Sequence, residues 1–253
     1  MQAIILASGK GERMMPLTTN TPKPLLKINA KPMIEYIIDL LIYHGVAEIG
    51  INLCYLGDQI KKYLVSKNFG IKIIYVEEKF LTGTAGGVKS VAKILKPKSP
   101  FFVISSDMMV NFNLNNIYKF HQKNKGIATL SCYFRPKDQV KKSGVILFDK
   151  KTKQILKFIE RPQNDEEIIS QWVNSSVYIF NPEILKYIPD KIDGSPIVDL
   201  AKNVFPEILN SGDEMFAYPI NQDRYYQLGV DTPDRIKRVE EDIYSKKFKP
   251  TKP

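Results

Sequence analysis

Apolar positions in the first half of the chain follow two alternating rhythms. Residues 2–7 form a short apolar run that breaks at Ser8-Gly9, which predicts a buried strand leading into a glycine loop. In 32–44, Met33, Ile34, Ile37, Ile38, Leu41 and Ile42 fall on one helical face, with Pro32 in the first turn and Gly45 past the end. Strand patterns follow at 48–53, 71–76 and 101–105. Helical patterns separate them at 57–65 and 84–95, the second stopped before Pro97. This alternation predicts an α/β architecture, a parallel sheet covered by helices on both faces.

The rhythm changes after residue 126. Strand patterns at 127–133, 144–148, 155–159 and 172–180 follow with few helices between them, and helical patterns return at 197–209 and 233–244. No linker rich in glycine, serine or proline divides the halves, and no internal repeat is visible. One mixed domain with two lobes is expected.

Composition narrows the class. Of 253 residues, 43% are hydrophobic and 25% charged, the balance of a globular protein rather than a disordered, collagenous or coiled-coil one. No apolar run reaches the roughly 18–20 residues of a membrane span. The start lacks the basic and apolar regions of a signal peptide. Cys54 and Cys132 lie in apolar strand-like runs and read as reduced core residues, so a cytoplasmic protein is expected. The net charge is +10, but the lysines are scattered singly until Lys246, Lys247, Lys249 and Lys252 near the end. Without zinc-ligand spacing or an RNA-binding aromatic motif, the charge reads as a solvated surface biased toward anionic ligands. Neither a nucleic acid nor a membrane is expected as partner.

The chemistry concentrates after the first strand, in Leu6-Ala7-Ser8-Gly9-Lys10-Gly11-Glu12-Arg13-Met14-Met15-Pro16-Leu17-Thr18, then Pro22-Lys23-Pro24. Glycines around Lys10 let the backbone turn tightly and aim N–H groups at an anion. Arg13 can fork onto phosphate oxygens. Lys23, between two prolines, sits on a stiff segment that aims its ammonium with little entropy loss. The third glycine of a dinucleotide-binding loop is missing, and so is the Gly-Lys-Ser/Thr end of a P-loop.

Taken whole, the stretch resembles the signature of the sugar-1-phosphate nucleotidylyltransferases, G-x-G-x-R-x-x-P-L-T followed by P-K-P. Further matches follow in family order over nearly the whole chain. Leu81-Thr82-Gly83-Thr84-Ala85-Gly86-Gly87-Val88-Lys89 looks like the segment that receives the nucleobase, although alone it could be a helix entry. Asp107, after an apolar strand, matches a metal-binding aspartate. Lys142-Ser143-Gly144-Val145 resembles a glycine turn beside the sugar. Phe158-Ile159-Glu160-Arg161-Pro162 resembles F-x-E-K-P, with arginine for lysine, and could otherwise be a surface ion pair. Val173-Asn174-Ser175-Ser176-Val177-Tyr178 corresponds to N-x-G-x-Y, with Ser176 for glycine.

The last motif, Leu228-Gly229-Val230-Asp231-Thr232-Pro233, is irregular against the family's D-x-G-T-P, because Gly229 holds the aspartate position. Related cytidylyltransferases of acidic sugars carry G-V-D-T-P, so Asp231 can ligate metal, with capping of the helix after Pro233 as the rival role. Ser8, Glu12 and Ser106 are further departures, and Glu12 is expected to point away from a triphosphate.

The resemblance implies a Rossmann-like three-layer fold with a mixed, mostly parallel central sheet. It implies a single domain over 1–245, divided into a nucleotide-binding lobe (1–126), a sugar-binding lobe (127–231) and a C-terminal helix (232–245). Residues 246–253 would be a flexible basic tail, with no left-handed β-helix domain. It implies transfer of a nucleotidyl group to a sugar 1-phosphate with release of pyrophosphate, and a homodimer is compatible with it. Arg13 and Lys23 would be catalytic. Leu6, Ala7, Ser8, Gly9, Gly11, Arg13, Lys23, Thr84, Ala85 and Gly86 would bind nucleotide. Gly144, Glu160, Arg161 and Asn174 would bind the sugar phosphate, and Asp107 and Asp231 would hold Mg²⁺. The glycine-rich segment at 83–87 looks most like mannose-1-phosphate guanylyltransferases, which favours GTP and mannose 1-phosphate. Glucose 1-phosphate with UTP, dTTP or ATP, or a heptose phosphate, are the alternatives. A non-catalytic nucleotide-sugar-binding subunit would keep the fold but need not keep Arg13, Lys23 and Asp107, all of which are present. His44 and His121 have no expected role in catalysis.

Overall fold

The apolar run that opens the chain becomes the central strand of the sheet in the computed structural model, which describes residues 1–190 and 197–251. Strand β1 (Gln2–Leu6) is followed by a small antiparallel pair, β2 (Lys27–Ile28) and β3 (Lys31–Pro32), and by α1 (Met33–Tyr43). Then come β4 (Glu48–Leu53), α2 (Gly57–Val65), β5 (Lys72–Glu77), α3 (Gly83–Leu95) and β6 (Phe101–Ser105). The remaining elements are β7 (Met108–Val110), α4 (Leu114–Asn124), β8 (Ala128–Phe134), β9 (Gly144–Phe148), β10 (Ile155–Glu160), β11 (Trp172–Phe180), α5 (Phe205–Asn210), β12 (Met215–Pro219), β13 (Gln227–Gly229) and α6 (Pro233–Tyr244).

β5, β4, β1 and β6 pair in that order, all parallel, so Leu6 stands level with Asn52 and Ser105. β11 pairs antiparallel with β6 and then divides the sheet. One branch runs to β8 and β12, the other through Val173↔Val145 to β9 and β10. In this nine-stranded sheet only β10 and β11 oppose the common direction. The mixed, mostly parallel α/β sheet is the expected one.

Alternation along β1 builds two cores. Ile4 faces α3 and α5, while Ala3 and Ile5 face α1, α2 and α4. Three layers result. Cys132 is buried on β8, and both cysteines are free. No helix among the described residues is long and apolar enough to cross a membrane.

Three differences from the sequence expectations have physical causes. The helix expected over 197–209 is shorter: a π turn (Leu200–Val204) precedes α5, and residues 197–199 are extended against the start of α3. Strands β7 and β13 carry three residues each, too few for a readable pattern, and β12 is buried through its first three residues and shows no alternation. The basic tail expected from residue 246 is packed through residue 248, because Phe248 is an apolar anchor among basic neighbours. It is 1% exposed and stacks on Tyr226 with ring centroids 4.4 Å apart. Lys252 lies outside the described residues.

Asp242 on α6 organises that anchor. Its carboxylate accepts from the Tyr226 hydroxyl at 2.8 Å and Arg238 Nε at 3.2 Å, and its carbonyl accepts from the Phe248 amide at 2.8 Å. Asp242→Ala should cost about 2 kcal/mol in chemical denaturation, below the full cost of a broken buried pair because Arg238 and Lys247 reach water. A loss under about 0.5 kcal/mol would show that the Tyr226–Phe248 stack holds the end of the chain without it.

Candidate active site

The carboxyl ends of β1 and β6 open onto a cleft of about 690 Å³, where open α/β sheets place ligands. Asn52, buried on β4, fixes the turn that leaves β1. Its Oδ1 accepts from the Ala7 amide at 2.9 Å, and its Nδ2 donates to the Ser8 hydroxyl at 2.9 Å. Beyond that point residues 8–13 line the cleft, and their amides donate to no acceptor among the described residues. Unengaged N–H groups on a tight turn form an anion-binding concavity. Glu12, expected to point away, lines the cleft with them.

Four charged side chains meet at the floor. Lys23 stands on a 3-10 turn (Lys23–Leu25) between Pro22 and Pro24 and pairs with Asp107, just past β6. Arg13 pairs with Asp231. The two carboxylates are brought to one place by strand pairing. β7 begins directly after Asp107 and pairs antiparallel with β13, so Met108 lies opposite Gly229 and the Val230 amide donates to the Asp107 carbonyl at 2.9 Å.

Asp231 is not the cap of α6. The capping position is Thr232, no side chain bonds the helix amides there, and the Asp231 carboxylate turns toward two arginines. Arg235 Nη1 lies 2.5 Å from its Oδ1, out of line for a hydrogen bond. Two carboxylates beside a turn of unengaged amides suit a hard divalent cation such as Mg²⁺, which takes one or two carboxylates and completes its shell with water and phosphate. No third histidine, cysteine or acidic residue joins them among the described residues.

A smaller pocket of about 310 Å³ continues from the cleft, with Leu6, Thr84, Ser105, Arg161 and Asp199 lining both. Glycine suits position 144 in its wall, since a Cβ there would fall 2.6 Å from both Phe158 Cζ and Glu160 Oε2. Burial raises the Glu160 carboxyl above its ordinary range, opposed by Arg161 and Lys202. Glu160 and Arg161 face each other at 3.5 Å, as a surface ion pair would, and both also line the pocket. β11 shifts register between Asn174 and Tyr178, where Ser176 holds a φ of +56°, the conformation that favours glycine. This bulge lets Asn174 Nδ2 donate to the Tyr178 hydroxyl at 2.7 Å, and burial pushes that phenol up to about 12.

The expected base segment divides. Leu81, Gly83 and Thr84 line the cleft. Ala85 and Gly86, expected to bind nucleotide, are buried, and their amides donate to the Val198 carbonyl at 3.0 and 3.4 Å. Sequence reasoning missed Asn52, Asp199 and Lys202. Of these only Asn52 carries a signal, a lone amide near the carboxyl end of an apolar strand. Both histidines are buried and bonded within the core.

The nucleotidyl transferase family matches this chain over residues 2–229. A UTP–glucose-1-phosphate uridylyltransferase from Synechocystis is 34% identical over 88% of the chain and 58% of its own length. A mannose-1-phosphate guanylyltransferase catalytic subunit beta from Dictyostelium discoideum is 35% identical over 81% and 55%. The chain therefore spans little more than half of these curated relatives. A solved UDP-glucose pyrophosphorylase in complex with UDP-glucose superposes with a TM-score of 0.82 over 97% of this chain and 98% of that one, at 19% identity, a likeness of fold. With 228 of its residues inside the matched region, the chain belongs to the nucleotidyl transferase family.

Proposed function

We propose that this chain transfers a nucleotidyl group from a nucleoside triphosphate to a sugar 1-phosphate, with GTP and mannose 1-phosphate as its substrates. The carrying observation is the joined pair of cavities. One is ringed by unengaged amides, Lys23 and Arg13, and the other holds Glu160, Arg161 and Asn174. The first suits a polyphosphate and the second a hydroxyl-rich ring with one phosphate. Relatives named mannose-1-phosphate guanylyltransferases, in an amoeba, a fly and yeasts, favour the guanosine and mannose pair. The Synechocystis relative favours UTP and glucose 1-phosphate as the second reading. Reduced cysteines suit a cytoplasmic site of action.

In this reading a sugar-phosphate oxygen attacks the α-phosphorus, a new P–O bond forms, and the bond to the β-phosphate oxygen breaks to release pyrophosphate. The nucleophile is already anionic near neutral pH, so no residue needs to remove a proton. The chain's task is to hold two polyanions in line and offset their charge. The amides of residues 8–13 and the Arg13 guanidinium hold the triphosphate, and Lys23 neutralises charge on the departing pyrophosphate. Arg161 holds the sugar phosphate, Glu160 accepts ring hydroxyls, and Gly144 leaves room for them. Asp107 and Asp231 would hold Mg²⁺, which supplies charge neutralisation at the α-phosphate.

Pyrophosphate release measured across the common triphosphates and a panel of sugar 1-phosphates with Mg²⁺ tests the reading, and no release with any pair would overturn it. Asp107→Asn keeps the shape but removes the charge, and should lower kcat at least about 100-fold. Near-normal turnover at saturating Mg²⁺ would remove Asp107 from the site. Asp231→Asn should likewise lose turnover, out of proportion to the modest fall in melting temperature expected from weakening its pairs with Arg13 and Arg235. Arg161→Ala should raise the KM for sugar 1-phosphate about 10-fold or more and leave the triphosphate KM unmoved. Equal effects on both would return Arg161 and Glu160 to a surface ion pair.

A further inference from the structure

Val198, Asp199 and Leu200 cross the start of α3 and bond to it in succession. The Val198 amide donates to the Thr82 carbonyl at 3.0 Å, and its carbonyl receives the Ala85 and Gly86 amides. Asp199 Oδ1 accepts from both the amide and the hydroxyl of Thr84, each at 3.1 Å. The Leu200 amide donates back to Thr84 Oγ1 at 2.8 Å. The approach is so close that a Cβ on Gly83, whose φ is +85°, would fall 2.4 Å from the Val198 oxygen. A helix is ordinarily capped by the residue before it, but Thr82 makes no capping bond with its side chain. α3 is capped instead from 115 residues away.

Asp199 lines both cavities. Its Oδ2 has no partner among the described residues. In the smaller pocket it stands near Glu160 and Lys202, and its charge contributes to raising the Glu160 carboxyl. Asn203 fixes the backbone, its Oδ1 accepting from the Asp199 amide at 2.8 Å.

We propose that Asp199 determines sugar specificity, its Oδ1 holding the start of α3 while its Oδ2 accepts a ring hydroxyl beside Glu160. Two carboxylates in one pocket select a neutral, hydroxyl-rich sugar and repel one carrying a carboxylate. The inference rests on the nucleotidyl-transfer reading and deepens it. It also ties the two subsites mechanically, since the bond that caps the nucleotide-side helix orients the sugar-side oxygen.

Asparagine separates the two roles. Asp199→Asn keeps an oxygen for Thr84 but puts an NH₂ group, which cannot accept, where the sugar hydroxyl arrives. The KM for the preferred sugar 1-phosphate should rise about 10-fold or more, with the triphosphate KM within about 2-fold and the melting temperature unchanged. Product nucleotide-sugar binding by calorimetry should weaken in step. Thr84→Val removes the hydroxyl bonds of the latch and keeps the amide bond, and should lower the melting temperature and raise the triphosphate KM more than the sugar KM. A sugar KM within about 2-fold of wild type in Asp199→Asn, or equal rises in both KM values, would overturn the role of Asp199 while leaving nucleotidyl transfer standing. Wild-type protein that turns over no pair would overturn both.

Discussion

The register of β1 between β4 and β6 is the constraint on which the site depends. Leu6 stands level with Asn52 on one side and Ser105 on the other, so three parallel strands end at one height. Asn52 can then reach back to bond Ala7 and Ser8, and the turn that follows leaves β1 with its amides unengaged. A one-residue slip would send Ile4 into the core of Ala3 and Ile5, and those two into its own, and would take Asn52 away from the turn. The row of unengaged amides is a consequence of sheet register before it is a property of any loop residue.

From that edge two devices extend the site. The short β7–β13 pair brings together Asp107 and Asp231, which lie more than a hundred residues apart in the chain. The bulge in β11 divides the sheet and opens the second pocket at Asn174, and Ser176 takes a left-handed backbone there although it is not glycine. An ordinary paired strand through Ser176 would close the space that Gly144 and Glu160 border.

Legibility followed the range of the interactions. The βαβαβ half was readable because burial on both faces of a parallel strand, and on one face of each helix, leaves long periodic signatures. β4, α2 and β6 fall where the apolar pattern puts them. Motif residues along one loop, from Ser8 to Arg13, were readable for the same local reason. What escaped depends on contacts between distant segments. β13 has three residues and exists because β7 lies beside it. Asp199 looks like any acidic residue before a helix until its partner, Thr84, is known. Phe248 is one aromatic among lysines, and the solvated composition around it concealed an anchor.

The charge pattern of the floor follows from the same geometry. Lys23 rests on Asp107 and Arg13 on Asp231, so each cation of the proposed triphosphate site is held by a carboxylate of the proposed metal site. Holding long cationic side chains in place costs conformational entropy, and here the carboxylates bear that cost before substrate arrives. A bare triphosphate would draw Lys23 and Arg13 away and leave two carboxylates unpaired beside new negative charge. Under the proposed function, Asp107 and Asp231 would hold a divalent cation entering with the triphosphate, and Lys23 and Arg13 would then be free for phosphate oxygens. Arg235, 2.5 Å from Asp231 and bonded to the Gly229 carbonyl at 2.7 Å, keeps Asp231 partly neutralised throughout. Arg235, one helical turn after Asp231, holds that carboxylate toward the cleft, where it would serve the proposed metal site although it stands two residues later than in the family pattern.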